Sequence, residues 1–185
     1  MNETAHKILD AAERLTQLSG INAFSYKDLQ VEVGVKTSTI HYYFPSKQDL
    51  ALSMTNRYID RFMDGLNAIE AIEADGLQRL RALGQIYVKV VGEGKFCLCG
   101  MLASDRASVS DEVKKGISGF FETVQSWISQ ALRLAIEQGS IDAHFNAEEQ
   151  AGLYLSALEG GMLIARSFEK PGYLQASVNQ WFDQL

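Results

Sequence analysis

Proline is nearly absent from this chain of 185 residues, which has Pro45 and Pro171 and no other. Cysteine is as scarce, with Cys97 and Cys99 alone. No stretch approaches the roughly eighteen uninterrupted apolar residues of a bilayer span, so no membrane helix is expected. Alternating β-branched runs, low-complexity tracts and internal repeats are missing as well, which argues against a sheet, a disordered segment or a solenoid. The opening residues MNETAHKILDAAERL carry charges inside a helical pattern and do not resemble a secretory signal. The expected address is therefore the cytoplasm.

A basic excess is lacking too. The formal charge is −6; residues 1–50 hold five Lys/Arg against six Asp/Glu, and residues 51–185 hold twelve against seventeen. A nucleic-acid binder of this composition must use a local face, which the acidic remainder would help to orient toward phosphate. Enzyme signatures are missing: there is no glycine-rich phosphate loop, no paired metal-ligand spacing, and no nucleophile with a placed base. Neither catalysis, a cofactor nor a metal is expected.

What remains is ordinary globular composition, 46% hydrophobic and 22% charged, punctuated by glycine. The spacing predicts an all-α fold of about nine helices. The first runs from about Thr4 to Leu18, with Ile8, Leu9, Ala12, Leu15 and Leu18 at helical intervals before Ser19-Gly20. A second starts at Ser25, with Asp28 completing a capping box, and Gly34 turns the chain. Thr37 or Ser38 can cap a third, two turns long, that stops before Pro45. A longer fourth starts at Ser46, paired with Asp49, and further helices are expected at about 75–93, 97–106, 109–138, 146–169 and 172–184. Three short helices and a long one suggest a small head, residues 1–48, joined through the fourth helix to a larger body, residues 49–185.

A helix, a glycine turn and a second short helix form a helix-turn-helix, and a plain helical hairpin has the same outline. The surface chemistry favours the first. Val35, Ile40 and Phe44 can face inward, leaving Lys36, Thr37, Ser38, Thr39, His41, Tyr42 and Tyr43 outward. Hydroxyls and imidazole can meet base edges or phosphates, and Lys47 adds a cation where helix N–H groups already favour an anion.

These residues stand in VGVKTSTIHYYFPSKQDL, preceded by ILDAAERLTQLSGINAFSYKDL, and over about residues 6–52 the chain resembles the TetR family of bacterial transcriptional regulators. The resemblance implies base contacts from Lys36, Thr37, Ser38, Thr39 and His41, and phosphate contacts from Tyr42, Lys47 and Ser25 or Tyr26. One departure stands out: His41 occupies a position that is often tyrosine in the family. The resemblance also implies a homodimer on a double-stranded operator with paired half-sites, released by a small-molecule effector, and hence a repressor.

Periodicity supports the dimer only in part. Leu155, Leu158, Met162 and Ala165 share a stripe, Gly160-Gly161 permits close helix approach, and a last helix adds Val178, Trp181 and Phe182. The same stripes could be intramolecular core. Candidate effector contacts are the aromatic residues Tyr87, Phe96, Phe120, Phe121, Trp127 and Tyr154, with Met101 as a soft wall and Gln125 and Glu159 as polar groups. Side chains at such spacing are also ordinary core. Cys97 and Cys99 lie two apart, about 200° around a helix, which disfavours a mutual disulfide. A small buried pair is the plain reading, against a redox sensor or a thiol oxidoreductase. A co-regulator whose head binds protein instead of DNA is the remaining alternative.

Overall fold

The computed structural model describes residues 2–142 and 144–185, and these form nine α-helices with no strand. They are α1 (Glu3–Ser19), α2 (Tyr26–Val33), α3 (Thr37–Tyr43), α4 (Lys47–Ile72), α5 (Gly76–Gly92), α6 (Leu98–Ser104), α7 (Asp111–Glu137), α8 (Ala147–Ser167) and α9 (Gly172–Phe182), with short 3-10 turns at Ile21–Ala23 and Arg106–Ser108. The helix spans expected from spacing match these. The chain divides into two compact units: Met1–Arg61 with Cys97–Gly119, and Phe62–Phe96 with Phe120–Leu185. Both α4 and α7 begin in the first unit and end in the second.

In the first unit, α1, α2 and α3 close around Ile8, Leu9, Leu29, Ile40, Phe44, Leu50 and Met54, all buried. Local chemistry sets the helix ends. Asn2 caps α1 by accepting the Ala5 N–H at 3.1 Å. Ser25 and Asp28 form a reciprocal box, the carboxylate taking the Ser25 N–H at 2.7 Å. Gly34 then turns the chain at φ 75°, the left-handed conformation that glycine enters without steric cost. The cap expected from Thr37 or Ser38 is not what starts α3: the N-cap residue is Lys36, and the Gln30 side-chain oxygen accepts the Thr37 N–H at 3.1 Å. Ser46 and Asp49 repeat the box at the start of α4, with bonds of 2.9 and 3.2 Å.

Chain order gives no hint that α6 belongs to this unit. The Asp105 carboxylate accepts the Ile21 N–H at 3.1 Å, and Asn22 donates to the Ser108 hydroxyl at 2.9 Å. Gln48 donates to the Ser108 carbonyl and accepts from the Ser110 N–H, at 2.9 and 2.8 Å. Buried Glu13 on α1 pairs with Arg57 and Arg61 on α4, and Arg57 also reaches Asp10 at 2.8 Å.

In the second unit α5, α8 and α9 pack together around Tyr154. Its hydroxyl donates to the Leu80 carbonyl at 2.9 Å, and its ring stacks on Trp181 at 4.1 Å. Glycine makes room: a Cβ on Gly84 would lie 2.6 Å from the Tyr154 hydroxyl, and one on Gly161 would lie 2.6 Å from Leu174. Gly160 has nothing within 4 Å of the equivalent point, so of the two adjacent glycines only Gly161 meets a close neighbour within the chain.

Candidate nucleic-acid interface

The site is built on α3, whose inward side is Ile40 with Phe44 following at its end, both buried. That leaves an outward face. Lys36, Ser38, His41 and Tyr42 are exposed, Tyr42 to 78%, while Thr37, Thr39 and Tyr43 are half-buried. The Thr37 hydroxyl is directed back to Gln30 on α2, and Tyr43 accepts from Asn2 at the head of α1. Gln30 and Asn2 therefore set the pitch of α3, and neither stood out in the sequence. An amide seven residues ahead of a helix start is a weak signal.

Three residues expected at the DNA backbone have internal partners. The Tyr26 hydroxyl donates to the carbonyls of Phe44 at 2.9 Å and Ser46 at 2.6 Å, spanning the turn between α3 and α4. Burial, reinforced by the nearby Asp49 charge, pushes its ionisation up to about 12, so it stays a neutral donor. The Lys47 ammonium donates to the Phe24 carbonyl and sits 4.6 Å above the Phe24 ring. Burial pulls its pKa down, opposed by the charges of Asp28 and Asp105. The Ser25 hydroxyl lies 2.7 Å from Asp28, whose carboxyl is held below its usual range chiefly by that bond.

His41 sits over this frame. Its Nδ1 is 3.2 Å from the Pro45 carbonyl oxygen, and its ring lies 4.7 Å from that of Tyr26 at 56°. Tyr42 touches Tyr43 edge-on at 5.0 Å and otherwise faces outward.

The residues expected at an effector are divided between the two units, Met101 in the first and the others in the second. Phe62 meets Tyr87 at 6.2 Å and Phe120 at 5.0 Å, with Phe121 against Phe120 at 5.2 Å, in one aromatic cluster of the second unit. Trp127 is buried, and its indole N–H has no hydrogen-bond partner among the described residues. Phe96 is buried, as are the carboxylate oxygens of Glu159. Tyr154 belongs to the packed core. Gln125 is exposed in an open groove of about 520 Å³ with Glu122, Ser126, Ser129, Arg133 and Glu148. Met101 lies in the first unit, near Gly20.

The stripe expected to face a second subunit is buried within the single chain. Leu155, Leu158, Met162 and Ala165 on α8, and Val178, Trp181 and Phe182 on α9, are all at most 8% exposed. The large apolar residues left exposed here are Leu153, Leu163 and Ile164 on α8 and Phe168, which caps its C-terminal end. Cys97 and Cys99 are buried; the Cys97 sulfur accepts from the Tyr58 hydroxyl at 3.7 Å and the Gly100 N–H at 3.5 Å. Among the described residues, no cluster of three or more His, Cys, Asp or Glu could hold a metal, and no helix is long and apolar enough to cross a membrane.

Three N-terminal helices, of which the third turns a polar side outward, make a helix-turn-helix. Two family models match: residues 8–54 match the bacterial regulatory proteins of the tetR family, and residues 76–181 match the tetracyclin repressor-like C-terminal domain. The chain belongs to the TetR family of transcriptional regulators. It is similar to the HTH-type transcriptional regulator EthR of Mycolicibacterium smegmatis, at 28% identity over 89% of this chain and 76% of that one. A TetR-family transcriptional regulator from Agrobacterium tumefaciens superposes with a TM-score of 0.93 at 27% identity, covering 98% of this chain and 97% of that one. A TetR transcriptional regulator from Legionella pneumophila gives 0.87 at 29% identity, over 100% and 98% of the two chains. The family is one of regulators, not of enzymes.

Proposed function

We propose that this protein is a cytoplasmic, dimeric repressor that binds a double-stranded operator through α3 and is released by a small molecule. The observation that carries the reading is the division of α3 into a buried apolar side and an outward polar side. Lys36, Ser38, Thr39 and His41 would face base edges, with Thr37 at the rim, and Tyr42 would meet phosphate. Tyr26, Lys47 and Ser25 would act mainly as the frame, since each already has an internal partner. Lys47 has two further N–H donors that a phosphate could take. On this reading residues 1–48 form the DNA-binding part, and 49–185 carry the effector site and dimer contact.

Two features of the second unit support the rest. The second unit holds both an aromatic cluster and, at Trp127, a buried indole N–H without a partner among the described residues, and such groups suit an effector that offers a hydrogen-bond acceptor. The exposed side of α8 carries Leu153, Leu163 and Ile164 around a bare Gly160, with Phe168 at its C-terminal end, and a second copy of the helix could approach closely there.

Selection of bound duplexes from a random pool tests the reading, and recovery of two related half-sites is expected. Lys36→Ala should then weaken binding at all sequences if it meets phosphate, with a salt slope smaller by about 1. If it meets a base, it should relax specificity at one position instead. A pool that yields no enriched sequence overturns the assignment.

A further inference from the structure

The outward face of α3 is made mostly of groups that do not discriminate well between donor and acceptor. The hydroxyls of Thr37, Ser38, Thr39, Tyr42 and Tyr43 can each donate or accept, and the Lys36 ammonium only donates. His41 differs. Its Nδ1 lies 3.2 Å from the Pro45 carbonyl oxygen, and a carbonyl can only accept, so Nδ1 carries the proton. A neutral imidazole has one N–H, and Nε2 is then a bare lone pair. Nε2 has no hydrogen bond to any described residue, and the side chain is exposed. The ring is also held in place, resting 4.7 Å from Tyr26, whose own hydroxyl is fixed by the Phe44 and Ser46 carbonyls. The turn that ends α3 thus fixes the tautomer as well as the position of the imidazole.

We propose that His41 is a specificity-determining residue whose Nε2 accepts a hydrogen bond from the exocyclic amino group of one adenine or cytosine in each operator half-site. The inference rests on the DNA-reading role of α3 proposed above. In the major groove adenine N6 and cytosine N4 are donors, whereas guanine N7 and O6 and thymine O4 are acceptors. An acceptor held at fixed height over the groove favours the first pair and is repelled by the second, whose lone pairs it would face unpaired.

The test is selection from a random duplex pool at pH 8 with the wild type, His41→Leu and His41→Arg. Wild type is expected to enrich adenine or cytosine at one position of each half-site, by roughly 2- to 12-fold over guanine or thymine. His41→Leu should lose that preference alone, keeping the rest of the site. His41→Arg, a pure donor, should move the same position to guanine. Retention of the wild-type base by both variants overturns the inference and leaves the DNA-reading role standing, as does wild-type enrichment of guanine or thymine there. Failure of the wild type to enrich any sequence overturns both. Circular dichroism matching the wild type confirms that the variants are folded.

Discussion

The Tyr26 hydroxyl shows how one side chain can belong to the frame of a site and not to its surface. It closes the turn after α3 through two carbonyls, and its ring supports His41. Because its ionisation is pushed up to about 12, the folded state holds the phenolic proton more tightly than the unfolded chain. The stabilisation is complete below the ordinary tyrosine value of about 10 and is lost as pH rises from there through the folded value. Tyr26→Phe should therefore lower the melting temperature by a constant margin up to about pH 9, and that margin should shrink toward about pH 11. Melting both proteins across that range checks it; a margin that stays flat or grows sinks the account. At this scale the sequence was half legible. Ile40 and Phe44 declare themselves as core by hydrophobicity and spacing. The partners of Tyr26 and Lys47 do not, because they are backbone carbonyls, and every residue carries one.

Glycine positions separate two kinds of constraint on the helices. Gly34 is held at φ 75° with nothing within 4 Å of a built Cβ, so its constraint is purely one of backbone conformation. Gly84 has an ordinary helical backbone, and the constraint there is spatial: a Cβ would meet the Tyr154 hydroxyl at 2.6 Å and Val178 at 3.2 Å. Gly34→Ala should cost about 1 kcal/mol through φ alone and weaken operator binding further by re-aiming α3. Gly84→Ala should cost roughly 1–3 kcal/mol by overpacking α5 against α8 and α9, with operator affinity per folded molecule kept. Denaturant unfolding with operator titration of each variant tells them apart; equal loss of affinity in both would end the distinction. The helices themselves were well legible, since apolar spacing and the Ser-x-x-Asp boxes at Ser25 and Ser46 mark most boundaries. The start of α3 was missed for a physical reason. Its first N–H is satisfied from another helix by Gln30, so the local rule that a hydroxyl should cap it did not apply.

For the molecule as a whole, the question is which surface a second copy would cover. Apolar residues of α8 recur at helical spacing on two sides, and the sequence alone cannot say which side the protomer keeps. Nor does the sequence show where the segment after α6 packs, since the bonds of Asp105 and Ser108 to Ile21, Asn22 and Gln48 join stretches far apart in the chain. Burial within the chain distinguishes the two sides of α8. Leu158 and Met162 are spent on internal packing, while Leu163 and Phe168 remain 61% and 56% exposed. Side chains already exposed cost little stability when changed, generally within about 0.5 kcal/mol, so a charge can be placed there without unfolding the protomer. Leu163→Glu with Phe168→Glu should convert a particle of twice 20.5 kDa into one of 20.5 kDa by light scattering, with helicity unchanged. Operator affinity should fall steeply, because each head then binds its half-site without the effective concentration supplied by its partner. Leu158→Ala is the contrasting case and should lower stability by about 2–5 kcal/mol. A double-glutamate variant that still runs as a dimer would move the interface off this face of α8.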